Sequence, residues 1–169
     1  MFREMRRKNQ MLSEAESIRI LEQGSSGVLA LLGERGYPYA VPLSYIYHDH
    51  KIFFHAANSG QKIDAIRGCE KASFCVIEQD HIVPEEYTTY FRSVIVFGKI
   101  RIIENEDEKR EEIERLALKY HPRDSQTGRS RMIEKSWESF CMLELSTEHI
   151  SGKEAIELKK HGFFPDSAI

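Results

Sequence analysis

The sequence has no apolar run long enough to span a bilayer. Its basic opening, Met1 to Gln10, lacks the apolar stretch that follows in a secretory signal. The expectation is a cytoplasmic protein with no membrane partner. Net charge of one sign is also scarce: the formal balance is -3, so no global field draws nucleic acid or anionic lipid. The three cysteines, Cys69, Cys75 and Cys141, are odd in number and fit neither a disulfide framework nor a CxxC metal site. Cys75 and Cys141 stand in apolar, strand-like runs and read as small buried hydrophobes. No GxGxxG or GxxxxGK(S/T) signature is present, which argues against Rossmann and P-loop sites. There is no HExxH, and no serine stands in a nucleophile elbow. His48-Asp49-His50 is better read as a polar turn tip than as a metal site, because adjacent strand residues point to opposite faces.

What is present suits one globular domain. The chain has 169 residues, 41% of them hydrophobic and 30% charged, enough for one core. We read residues 1–169 as a single domain with a core over about 13–155, an exposed N-terminal arm and a polar C-terminal tail. Ser13 and Glu16 form a capping-box pattern that opens a helix to Gln23, with Gly24 as its stop. Strands are then expected at Ser26 to Leu32, Tyr37 to His48, Lys51 to Ala57, Lys71 to Glu78, Tyr90 to Glu104 and Phe140 to Ile150. Asn58 is expected to cap a short helix from Ser59 to Gly68, and Asp80 to Thr88 reads as a loop. Asn105 opens a firmer helix, with Ile113, Leu116, Ala117 and Tyr120 at helical spacing. Six strands joined mainly by hairpins, with helices at the margins, predict a mainly β fold: a six-stranded antiparallel barrel.

Three segments carry candidate chemistry. In His55-Ala56-Ala57-Asn58-Ser59-Gly60-Gln61-Lys62 a strand ends, small residues permit close approach, and a helix begins. Free amides at a helix start, a serine hydroxyl and Lys62 suit a terminal phosphate. From this segment alone, a capped helix with a solvent-facing lysine is the better explanation. In Tyr37-Pro38-Tyr39-Ala40-Val41-Pro42-Leu43-Ser44-Tyr45 two prolines fit an edge or bulged strand, leaving backbone groups free for the pyrimidine edge of a flavin. Protection of an edge against aggregation is the alternative. In Arg92-Ser93-Val94-Ile95-Val96-Phe97-Gly98 the first two residues offer phosphate or ring contacts, and Gly98 bends the strand or marks a bulge.

In order and spacing these segments resemble the FMN-binding split-barrel superfamily of pyridoxamine 5′-phosphate oxidase-like proteins. Within it the chain is most similar to the 5-nitroimidazole resistance (Nim) proteins. Further matching stretches are Met5-Arg6-Arg7-Lys8, Gly27-Val28-Leu29-Ala30 and Ile150-Ser151-Gly152-Lys153. The resemblance implies a six-stranded split barrel, a homodimer, and FMN (FAD as the alternative) at the dimer interface. It implies that Pro42, Leu43, Ser44 and Tyr45 face the flavin ring. His55, Ala56, Ala57, Ser59, Gln61 and Lys62 would hold the ribityl phosphate, with Arg92 and Ser93 adding contacts. The implied activity is reduction of a small planar acceptor such as a nitroimidazole, with His55 as the catalytic candidate. A non-catalytic flavin module, a haem-binding split barrel and pyridoxamine phosphate oxidation are the alternatives. The Lys159-Lys160-His161-Gly162-Phe163-Phe164 end lacks the Arg-rich segment of the oxidase branch.

Overall fold

The computed structural model describes residues 2–161. Residues 162–169, part of the expected polar tail, lie outside the described residues. Helix α1 (Glu14–Gln23) starts where the sequence pattern places it: Ser13 Oγ accepts from the Glu16 amide and the Glu16 carboxylate accepts from the Ser13 amide. Seven strands follow, β1 (Ser26–Leu32), β2 (Pro38–Ser44), β3 (Ile46–His48), β4 (Lys51–Ala57), β5 (Lys71–Val83), β6 (Thr88–Ile102) and β7 (Phe140–Glu154). Helix α2 (Gln61–Gly68) lies between β4 and β5, while α3 (Glu106–Tyr120) and α4 (Gln126–Ser136) join β6 to β7, and α5 (Ile156–His161) follows β7.

The strands form one sheet in the order β2-β1-β5-β6-β7-β4-β3, every pairing antiparallel. Its two edge strands, β2 and β3, are separated in sequence by Tyr45 alone. The sheet must therefore curl until its edges meet, which makes a barrel with an unpaired seam at Tyr45. Inward residues at period two fill it: Leu29 and Leu31, Phe54, Phe74 and Val76, Val94 and Val96, and Leu143 and Leu145 form one buried cluster. A smaller cluster of Phe53, Ile103, Phe140 and Met142 lies apart from it, with Ile113 of α3 packed against it.

The departures from expectation have physical causes. Seven strands replace six because Tyr37 to His48 breaks at Tyr45, whose ring turns into the core edge-on to Phe74 at 4.9 Å between centroids. The expected loop Asp80 to Thr88 is mostly ladder: β5 and β6 stay paired out to Val83 and Thr88, and the turn is Pro84–Glu86 with Tyr87 at φ 51°. Its polar sequence reflects a ribbon with both faces in water. Strand β7 runs to Glu154 rather than Ile150, since Ser151 to Glu154 pair with Ile95 to Arg92. Asn58 does not cap α2; its side-chain amide donates to the Glu138 carbonyl at 2.6 Å, and Gly60 at φ 114° is the N-cap. The arm is not a plain solvated tail, because Gln10 and Leu12 are buried and the Leu12 amide donates to the Gly152 carbonyl at 3.1 Å. The Asp49-His50 tip is as read, with both residues at positive φ, as a two-residue hairpin of the primed type requires. Gly98 does mark a bulge: the β6–β7 register shifts between Phe97 and Gly98, and a Cβ there would strike the Ser146 carbonyl.

Candidate functional site

Strand β4 delivers His55 and Ala57 outward and Ala56 inward, so His55 and Ala57 are exposed and Ala56 is buried. Past Asn58, the chain turns at Gly60 and enters α2. The N-cap has no side-chain hydrogen bond. The Gly60 carbonyl accepts from the Ile63 and Asp64 amides. Among the described residues, the Gln61 and Lys62 amides have no such partner. A Cβ on Gly60 would meet nothing within 4 Å, so the space before the helix is open. Lys62 is half-buried and makes no ion pair among the described residues. Its charge is felt nearby: although His55 keeps exposed surface, partial desolvation of its ring, and then Lys62, push the imidazole below its ordinary pKa. Uncapped amides, a glycine turn and an unneutralised lysine are together the features that could hold an anion.

Strand β2 is an edge strand, as its prolines imply. Neither proline can donate, so both fit the register position whose nitrogen faces away from β1. Period-two geometry then turns the amides of Ala40 and Ser44 to the same open side. Pro42 and Ser44 are exposed, whereas Leu43 packs on the core and Tyr45 is fully buried. The expected ring-facing quartet thus divides into two outward and two inward residues. Tyr45 is not free at its backbone either: its amide donates to Tyr120 Oη at 2.9 Å, and its carbonyl faces the same hydroxyl at 2.9 Å. Tyr120 Oη also contacts the Ser25 carbonyl, and Lys119 Nζ donates to the Gly24 carbonyl at 2.6 Å. Lys119 sits 4.5 Å over the Tyr45 ring, and burial lowers its pKa. Gly24 is required here, because a Cβ would strike the Tyr45 hydroxyl. The last turn of α3 therefore clamps the barrel seam. The sequence marked Tyr120 only as an apolar helix position and gave no sign of this role.

Arg92 is not brought to the Lys62 corner within one chain. It lies between Glu154, at 2.8 Å, and Glu78, at 3.5 Å. The row through Phe54 crosses Leu143 and reaches β6 at Ile102, ten residues along the strand from Arg92. Ser93 pairs with Ile77 and Lys153, on a different surface. That surface is apolar. One row runs Pro42, Val28, Cys75, Ile95, Ser151 across five strands. Val28 and Ile95, with Leu32, Ile77 and Phe97, are large apolar residues left exposed. His48 has its own partner, with Nε2 2.7 Å from Glu112.

An antiparallel sheet closed on a seam, with helices at its flanks, defines a split β-barrel. The chain belongs to the pyridoxamine 5′-phosphate oxidase family, whose profile matches residues 13–154. Solved structures share the fold. A conserved hypothetical protein from Mycobacterium tuberculosis is 18% identical with a TM-score of 0.78, covering 98% of this chain and 97% of that one. A candidate 5-nitroimidazole antibiotic resistance protein from Bacteroides thetaiotaomicron is 17% identical with a TM-score of 0.67 and 85% coverage of each chain. An FAD-binding protein from Mesorhizobium loti is 23% identical with a TM-score of 0.60, covering 86% of this chain and 97% of that one. Comparison with curated proteins gives no match.

Proposed function

We propose that this chain is a cytoplasmic, flavin-dependent oxidoreductase of the Nim type, which binds FMN as a homodimer and reduces a small planar acceptor such as a nitroimidazole. The observation that carries the reading is the anion corner: the uncapped start of α2, open at Gly60, with the unneutralised Lys62 beside His55. These residues fit the terminal phosphate of FMN, and Ser59 and Gln61 are exposed beside them. FAD remains the alternative, as in the FAD-binding protein from Mesorhizobium loti.

The exposed row from Pro42 to Ile95 supports the dimer. An apolar face of this kind on an otherwise charged surface is a site for association. A second copy seated there would also cover Ser93, which lies two residues from Ile95 on the same side of β6. When bound, the flavin supplies the electrons. The chain's own residues hold the phosphate at Lys62, present amides along the edge of β2, and keep an imidazole at His55. The lowered pKa of His55 favours the neutral imidazole near pH 7, and negative charge arriving beside it would favour its protonation.

The test is direct. Purified protein should carry a flavin absorption spectrum, and mass spectrometry should identify the flavin. Reduced protein should be reoxidised by a nitroimidazole faster than free flavin is. Flavin without that acceleration would leave a non-catalytic binding module. Absence of flavin, with no uptake of added FMN, would end the proposal.

A further inference from the structure

A cavity of about 740 Å³ lies away from the Lys62 corner, between the N-terminal arm, the start of α1, the hairpin tip at His50 and Thr147 to Gly152 of β7. Its size falls in the range of small-molecule sites. The roof is latched where the Leu12 amide meets the Gly152 carbonyl and Lys159 Nζ meets the Met11 carbonyl at 2.8 Å. From that latch the arm reaches back to Phe2, whose ring stacks on His149 at 4.8 Å and 10°. Phe97, outside the lining, lies 5.5 Å from Phe2 and 6.2 Å from His149, so Phe2 and His149 form the aromatic wall and Phe97 supports it from behind.

The β7 bulge builds this wall. Phe97 pairs with His149 and Gly98 with Thr147, which leaves Glu148 as the extra residue. Bulges re-aim side chains in this way and recur beside functional sites. Met5, Met11 and Ile150 add apolar surface. Charges of both signs surround the space, and Lys8 is already held by Glu4 at 2.7 Å. With Arg3 and Lys8 set against Glu4, Glu14 and Glu148, the lining is near balance and does not favour an anion.

We infer that this cavity binds a neutral planar aromatic small molecule, stacked against the His149 ring beneath the arm. Rings of this kind stack in offset or edge geometry on imidazole and phenyl walls, and the latch at Leu12 leaves the Phe2 end of the roof to yield. The inference shares no residue with the proposed phosphate corner, but Ser151 also stands on the row proposed to meet a second copy, so the oligomeric state of each variant is measured beside its binding, and a loss of binding by Ser151→Trp counts only where that state matches the parent.

Benzimidazole, neutral and planar at pH 7.5, is the probe, with cyclohexanol as the non-aromatic control. Binding to the full chain is followed by saturation-transfer NMR and calorimetry. Benzimidazole should bind saturably and cyclohexanol should not. His149→Ala should weaken binding by about tenfold, while His149→Phe, which keeps a ring on the wall, should hold it within about threefold. Ser151→Trp, which fills the space from a partly exposed position, should abolish binding and serves if His149→Ala loses its native circular dichroism. Lys62→Ala should change nothing. The inference is overturned if binding is not saturable, if it is indifferent to both His149→Ala and Ser151→Trp, or if Lys62→Ala removes it.

Discussion

Replacing Lys62 by alanine is the sharpest probe of the phosphate corner. The side chain lies in the first turn of α2, beside two amides without partners, and makes no ion pair among the described residues. A charge-assisted hydrogen bond to phosphate contributes about 1.5–3 kcal/mol. Lys62 is only half-buried, so solvent screening favours the lower end, about 1.5 kcal/mol, or roughly tenfold in Kd. Titration by flavin fluorescence should show that weakening for FMN, with a shallower dependence on salt. Riboflavin, which lacks the phosphate, should bind parent and variant alike. A second readout needs no flavin. Lys62 is one of the two causes that lower the His55 pKa, so Lys62→Ala should move the His55 titration upward by NMR. Between the lowered folded pKa and an unfolded value of about 6.5, the unfolded chain binds more protons, so acidification through that window destabilises the parent. The variant should lose less stability there. Unchanged FMN affinity, or an equal loss for FMN and riboflavin, would refute the assignment.

Four other outcomes are expected. Tyr120→Phe removes the hydroxyl that pairs with the Tyr45 amide; it should lower stability by about 1–2 kcal/mol, seen as a drop in Tm of roughly 2–6 °C, and an unchanged Tm would mean that the clamp is idle. Glu144 is buried, which opposes its charge, yet hydrogen bonds from Arg101, Ser146 and Lys51 hold its pKa at about 2. Its contribution is present above an unfolded pKa of about 4.3 and is lost as pH falls toward 2, so Glu144→Gln should cost about 2 kcal/mol at pH 7 and flatten that acid limb. Ile95→Glu, on the exposed apolar row, should convert a dimer to monomers in analytical ultracentrifugation; a variant that remains dimeric would place the interface elsewhere. His55→Ala should either release flavin or slow acceptor reduction in stopped-flow, and if neither changes, His55 is a bystander.

Much of the barrel was legible because its strands obey local rules. The alternation from Tyr39 to Tyr47 gives the buried face, and Pro38 with Pro42 marks an edge strand that the topology confirms. The capping box at Ser13 and the Asn105 start are local chemistry as well, and both stand. What was hidden depends on partners distant in sequence. Nothing near Tyr45 announces that Tyr120 holds its amide. Nothing near Arg92 says that Glu78 and Glu154 neutralise it. The polar ribbon beyond Glu78 reads as loop because neither of its faces is buried, although its ladder is intact. At the candidate site, alternation alone separates His55 and Ala57 from buried Ala56, and Pro42 and Ser44 from buried Tyr45. A reading by motif groups them together.

The seam at Tyr45 has a kinetic consequence. β1 with β2, and β3 with β4, are local hairpins, and each forms with little loop-closure cost. They are neighbours in sequence, yet they finish at opposite edges of the sheet. Only the distant pairings, β1 with β5 and β4 with β7, bring those edges round. Tyr45 therefore begins as a hinge between two independent hairpins and becomes a clasp when Tyr120 arrives from α3. The closure between the β2 and β3 edges would be among the last parts of the molecule to be fixed, and among the first to loosen, although the β1–β2 ladder itself is local.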